Sequence, residues 1–118
     1  MVVTSWTLEY YETPAGRRPV QDYLDGLEAR EALRVSDSLE LLEDRGTALG
    51  APHTRNLGGK LWELRVLGRV QHRVLYFAAS GRRLVLLHAF TKKTPKTPPT
   101  ELETARRRMA DYLGRMET

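Results

Sequence analysis

Basic side chains are concentrated in one part of the sequence. Residues 52–98 contain ten lysines and arginines and a single acid, Glu63, so this segment carries +9 of a chain whose net charge is +4. All three histidines also lie in this segment. Such side chains can bind a phosphate, neutralise charge that develops on it and transfer protons. The asymmetry indicates a surface that binds a polyanion, and the alternative is a solvated face that only keeps the protein soluble.

The composition excludes several classes of site. The 118 residues, of which 41% are hydrophobic, fit a single domain over residues 1–118. The chain has no cysteine, so disulfides and thiolate metal sites are excluded. Without clustered carboxylates, we expect no metal and no cofactor. Because no segment resembles a membrane span or a signal peptide, we expect a cytoplasmic protein with no membrane partner.

Hydrophobic periodicity predicts seven elements. They are a strand at 2–11, a helix from Pro19, a helix at 28–45, strands at 61–67, 70–79 and 84–90, and a helix after Pro99. Glycines and Pro52 indicate a loop at 46–59. The order β-α-α-β-β-β-α predicts an α+β fold in which two N-terminal helices and one C-terminal helix cover a small antiparallel sheet.

The hairpin between the second and third strands decides where two arginines lie. If Trp62 and Leu64 face the core, Arg65 faces the other way. A two-residue loop would send Arg73 to the core face, whereas a three-residue loop would bring Arg65 and Arg73 onto one face. We prefer the three-residue loop because it leaves the charged Arg73 unburied.

Three sequence blocks carry a family resemblance. They are WELR at 62–65, RVLY at 73–76 and LLHAFTKKTPKTP at 86–98, and a run rich in arginine follows at 101–109. With its blocks in this order, the chain resembles the RelE/HigB toxins, and more narrowly their phage-derived branch. The resemblance implies a RelE/ParE-like fold and the toxin of a type II toxin–antitoxin module. Such toxins generally cleave mRNA in the ribosomal A site, so the implied partners are the ribosome, mRNA and an antitoxin, expected to be a helix-turn-helix DNA-binding protein.

The resemblance also assigns roles to residues. Arg73 matches a basic residue that stabilises the phosphate, and Lys93 matches one that stabilises the phosphate or the leaving group. Lys92 can share that work. For RNA binding we predict five further basic residues of the charged segment: Arg55, Lys60, Arg65, Arg69 and Lys96.

The general base is not assigned by the resemblance. RelE has two lysines on the strand before the hairpin, where this chain has Leu61 and Glu63. His88 is the first candidate because of its ordinary pKa, and a buried structural histidine is the alternative. Glu63 is the second candidate, and a salt bridge to Arg65 or Arg73 is its alternative. Two other functions also stay open, a ParE-like gyrase inhibitor and a non-catalytic RNA-binding module.

Overall fold

The fold is an α+β domain built on one five-stranded sheet. The computed structural model describes residues 6–116. Its elements are β1 (Thr7–Tyr10), α1 (Pro19–Asp25), α2 (Ala29–Arg45), a 3₁₀ turn (Gly46–Ala48), β2 (Thr54–Gly58), β3 (Leu61–Val66), β4 (Gln71–Ala79), β5 (Arg83–Lys92) and α3 (Pro99–Met116). The α+β class and the three predicted helices are confirmed. Residues 2–5 of the predicted first strand lie outside the described part.

The sheet is mixed, in the order β1-β5-β4-β3-β2. The strands β2 to β5 form an antiparallel meander, but β1 pairs in parallel with β5, with Leu8 opposite Leu84. The expectation of a purely antiparallel sheet was therefore wrong. Parallel pairing joins segments far apart in the chain, and local sequence patterns carry no signal for it.

The predicted loop at 46–59 contains a strand. Residues 54–58 form β2, which pairs with β3. Gly58 and Gly59 have positive φ values of 114° and 57° and form the tip of the hairpin. These glycines therefore mark the end of an edge strand rather than a continuous loop.

Helices cover both faces of the sheet. On one face α1 and α2 pack through Val20, Val35 and Leu42 onto β-strand residues that include Leu64 and Val74. On the other face α3 packs through Ala105 and Tyr112 onto a second cluster that includes Leu61, Leu75, Phe77 and Val85. Side chains that point to either face can therefore be buried, which decides the environment of the charged residues described below.

The ends of the helices follow local sequence signals. Pro19 opens α1 at a position where the missing N–H costs no hydrogen bond. Gly46 follows α2 with φ of 55°, and a Cβ there would lie 2.0 Å from Nε1 of Trp6, so only glycine fits. Within residues 6–116 no helix is long and apolar enough to cross a membrane.

One predicted core residue is half exposed. Leu64 and Val66 lie in the core beside α2 as predicted, but Trp62 keeps 37% of its surface exposed. Trp62 lines a small cavity with Thr47 and Leu49.

Candidate functional site

The strand registers bring three cations to one end of the sheet, on the face that α3 covers. Arg65 of β3 lies directly opposite Arg73 of β4, and Lys92 of β5 lies opposite Gln71. Arg73 shares its face with Leu75, which packs in the α3 cluster, and Lys92 shares its face with Phe90. The register that we preferred from the sequence, with Arg65 and Arg73 on one face, is confirmed.

These side chains line an open cleft, which we call the basic cleft. Its volume is about 400 Å³, and its lining consists of Arg65, Gln71, Arg73, Lys92, Lys93, Thr94 and Pro95. The last three residues belong to the connection between β5 and α3. The basic cleft therefore forms where this connection leaves the sheet, before α3 begins to cover it.

Arg73 is buried, so the expectation that it stays exposed was wrong. Its exposed fraction is 1%, because a side chain on this face lies inside the domain. Its Nη1 donates to the carbonyl oxygen of His72 at 3.1 Å and its Nη2 to Oε1 of Gln71 at 3.0 Å. Its Nε lies 3.6 Å from Oε1 of Glu63. Burial lowers the pKa of Arg73, and the Glu63 carboxylate opposes that shift.

Glu63 is the acid whose carboxylate faces the buried guanidinium of Arg73. It is 1% exposed, and both of its oxygens are engaged. Oε1 faces Arg73, and Oε2 accepts a hydrogen bond of 2.7 Å from the hydroxyl of Thr97. The salt-bridge interpretation of Glu63 is confirmed. The bond to Thr97 also fixes the β5–α3 connection over the sheet.

Three residues that line the basic cleft each have a buried side-chain nitrogen without a hydrogen-bond partner. Within residues 6–116, the buried side-chain nitrogens that lack a hydrogen-bond partner are Nε of Arg65, Nε of Arg73 and Nζ of Lys92. Leaving a buried donor without a partner costs roughly 1–3 kcal/mol. Burial lowers the pKa of Lys92, and the nearby Arg73 charge lowers it further, against the opposing effect of Glu63. The arrangement is costly for folding, and an anion with several oxygens would satisfy it.

A family model matches the segment that contains this site. The model describes the phage-derived Gp49-like proteins (DUF891) and matches residues 22–110. The chain belongs to the Gp49-like family. This family is known for proteins that are like the toxins of toxin–antitoxin modules. No curated protein sequence matches the chain significantly.

The other basic residues that we predicted to bind RNA lie at different distances from the basic cleft of this Gp49-like protein. Arg55 of β2 is opposite Glu63, and with Lys96 it lines a neighbouring groove of about 290 Å³. Arg69 is exposed in the β3–β4 turn, next to the strand ends that carry Arg65 and Arg73. Lys60 lies in the β2–β3 turn, at the opposite end of β3, so the structure does not bring it to the cleft.

His88 lies outside the basic cleft of the Gp49-like domain, under α3. Its Nε2 lies 2.9 Å from Oε1 of Glu101, and its Nδ1 lies 3.1 Å from Nη1 of Arg108. Because the guanidinium can only donate, Nδ1 accepts and Nε2 carries the proton in the neutral ring. Burial is the main cause that lowers the pKa of His88. With both nitrogens engaged, this geometry favours the structural alternative over the role of general base.

Sequence reasoning missed two polar residues of the site, Gln71 and Thr97. Gln71 binds the Arg73 guanidinium, and its place two residues earlier on the same strand is a signal that could have identified it. Thr97 binds Glu63 from 34 positions away. No local pattern indicates that contact.

A buried polar network on the opposite face supports the strands of the site. The ring of His72, which is 1% exposed, contacts the Tyr23 hydroxyl at 2.6 Å through Nδ1 and the Glu31 carboxylate at 2.7 Å through Nε2. Arg34, which pairs with Glu31, donates to the carbonyl oxygens of Leu67 and Val70 in the β3–β4 turn. The network thus holds the turn whose two strands carry Arg65 and Arg73.

Proposed function

We propose that this Gp49-like protein is the toxin of a type II toxin–antitoxin module and that it cleaves mRNA on the ribosome. The observation that carries the proposal is that three residues lining one open cleft, Arg65, Arg73 and Lys92, each have a buried nitrogen without a hydrogen-bond partner. A phosphodiester has the charge and the oxygens to satisfy all three. Because these groups are shielded from water, their interaction with a bound phosphate is stronger than it would be at the surface.

RNA cleavage without a metal requires only groups of the kind present here. The 2′-hydroxyl attacks the adjacent phosphorus, the phosphorane gains negative charge, and the 5′-oxygen leaves with a proton. In the proposed reaction Arg65 and Arg73, which line the cleft, stabilise the developing charge. Lys93 lines the same cleft and is exposed, and the resemblance to RelE and HigB toxins implies that it serves the leaving group.

The neighbouring groove extends the proposed RNA contact. Arg55 and Lys96 line it, while Leu57 and Leu102 give it an apolar floor. Thr97 lines the groove and also donates to Glu63, which faces Arg73 of the basic cleft. A flanking nucleotide can place its phosphate on the basic rim and its base on the apolar floor.

The proposed antitoxin silences the protein by covering the basic cleft. A segment that carries acidic side chains would satisfy the same nitrogens as RNA, and charge would steer the encounter. We therefore expect backbone amides of residues 65–75 and 90–97 to be protected from hydrogen exchange in the complex. Unchanged exchange in these segments would contradict this form of inhibition.

A non-catalytic RNA-binding function is the second candidate, and one observation favours it. Leu61 and Glu63 occupy the positions where RelE has lysines, and both are fully buried. Neither side chain can reach a substrate, because Leu61 packs in the core and Glu63 is engaged by Arg73 and Thr97. On this reading the protein binds RNA in the basic cleft and leaves it intact.

Primer extension on a reporter mRNA in a cell-free translation system tests the proposal. The wild type should create new 5′ ends within the open reading frame only when the message is translated. Arg65→Gln removes one unsatisfied cation and should reduce cleavage by about 10²–10³-fold. Arg17→Gln, which changes an exposed arginine in the loop between β1 and α1, is the control and should cleave like the wild type.

The outcomes separate the candidate functions. Arrest of translation without new 5′ ends, together with RNA binding that Arg65→Gln weakens, would show the non-catalytic function. Folded wild type that neither arrests translation nor binds RNA would contradict the whole proposal, and inhibition of DNA gyrase would then be the measurement to make.

A further inference from the structure

We propose that Lys92 is the general base of the reaction and takes the proton of the attacking 2′-hydroxyl as a neutral amine. This inference rests on the proposed function. It supplies the group that the proposed mechanism still lacks, and it follows from the contacts of the described residues around the basic cleft.

The other groups near the reacting phosphate cannot accept that proton. Arg65 and Arg73 keep their protons under all conditions in which the protein is folded, because guanidinium groups stay charged in proteins. Glu63 is 1% exposed, and its two oxygens face Arg73 and Thr97. His88 lies outside the lining of the cleft with both ring nitrogens engaged.

Lys92 differs from these groups because its nitrogen is uncommitted. Nζ is buried and has no hydrogen-bond partner among residues 6–116, while the residue lines the cleft. Its lone pair, once the proton has left, is therefore available to a substrate hydroxyl rather than to another protein group. Lys93, the other lysine of the cleft, is exposed to water, whereas Nζ of Lys92 is buried.

The surroundings of Lys92 favour the neutral amine. The causes that lower its pKa are burial first, then the charge of Arg73, and more weakly the charges of Arg55 and Arg65. Glu63 opposes them, but its carboxylate is already paired with Arg73. A cluster of arginines around one lysine is a known way of making an amine basic at neutral pH, because it disfavours the ammonium form.

The proposed cleavage is a transesterification. The 2′-hydroxyl proton moves to Nζ of neutral Lys92, and the bond from the 2′-oxygen to phosphorus forms. The bond from phosphorus to the 5′-oxygen breaks with its electron pair, and the Lys93 ammonium gives that oxygen a proton. The products are a 2′,3′-cyclic phosphate and a 5′-hydroxyl. Lys92 then loses a proton to water and Lys93 regains one.

Two variants of Lys92 test this role. Lys92→Arg keeps the charge but cannot act as a base, so it should bind RNA like the wild type and cleave it about 10²–10⁴-fold more slowly. Because the chain has no cysteine, Lys92→Cys creates a single thiol that 2-bromoethylamine converts into a lysine analogue with a sulfur in place of one methylene. The sulfur makes the amine less basic.

The pH dependence of single-turnover cleavage then reports the base directly. The alkylated Lys92→Cys protein should recover cleavage, and the rising limb of its pH–rate profile should lie at lower pH than that of the wild type. Wild type treated with the same reagent, which finds no thiol, is the control. Thermal melts check that each variant is folded.

Two results would overturn the inference. Lys92→Arg that cleaves within a few-fold of the wild type would show that only the charge at this position matters. A recovered activity whose rising limb coincides with that of the wild type would show that another group titrates. A wild type that cleaves no RNA on ribosomes would instead refute the proposed function itself, so the two failures are distinguishable.

Discussion

The basic cleft should be a source of instability, and Lys92→Met should therefore stabilise the fold. Nζ of Lys92 is buried without a hydrogen-bond partner and lies in the field of Arg73. Removing an unsatisfied buried donor recovers part of its desolvation cost, which is roughly 1–3 kcal/mol. Methionine has a similar length and flexibility, so the packing of the stem is retained. For a domain of this size such a gain corresponds to a rise in Tm of roughly 3–10 °C.

The pH dependence of this gain has a definite sign. The folded protein holds the pKa of Lys92 below its ordinary value of about 10.4, so between the two values the unfolded chain binds more protons. Wild-type stability therefore gains from this residue as the pH rises through that window. The advantage of Lys92→Met should be complete below the folded pKa and should shrink toward the unfolded one.

Urea unfolding of wild type, Lys92→Met and Lys93→Met across pH measures this effect. Lys93 is exposed at the next position, so its replacement should change the free energy of unfolding by about 0.5 kcal/mol or less. Loss of stability in Lys92→Met, or a gain that does not vary with pH, would refute the reasoning that the cleft is held ready for an anion. Lys92→Met should also lose cleavage, since function and stability are opposed at such a site.

Three further predictions follow from the same contacts. Glu63→Gln leaves the buried Arg73 charge uncompensated and should lower the free energy of unfolding by roughly 3–5 kcal/mol. Adding Arg73→Met to this variant should restore most of the lost stability, as measured by urea unfolding. Equal losses in the single and double variants would contradict the ion pair. His88→Phe should cost roughly 1–3 kcal/mol through its unpaired neighbours and leave cleavage by the folded protein unchanged. Because the pKa of His88 is lowered in the fold, the wild type should also lose stability as the pH falls below about 6.5, and His88→Phe should lack the part of this loss that His88 contributes. RNA affinity should fall with salt with a log–log slope near −4 to −6, for about five to eight phosphate contacts, and a slope near zero would exclude the basic surface.

The register of the two arginines was predictable from the sequence because burial restricts it. Val74 and Tyr76 must face the α1–α2 side of the sheet, and the alternation of side chains then places Arg73 beside Arg65. The helices were predictable for a related reason, since their apolar stripes and end signals are local. These features depend on residues that are close in the chain.

The burial of the site was not predictable in this way. Arg73 is buried beside the connection between β5 and α3, and the Glu63 carboxylate that faces it is held by Thr97 of the same connection. The contacts of Thr97 with Glu63 and of Glu101 with His88 also join separate elements. Sequence periodicity reports that a side chain faces inward or outward, but it does not report which distant element covers it.

The most direct test of the central claim is an NMR titration with a short RNA whose 2′-hydroxyls are replaced by hydrogen, so that it binds without being cleaved. The Nε–H signals of Arg65 and Arg73 report whether these nitrogens gain a phosphate acceptor. We expect both signals to shift downfield on titration, while that of Arg17 stays in place. If the RNA binds and both signals remain unchanged, the unsatisfied nitrogens of the cleft do not hold the phosphodiester and the account is contradicted.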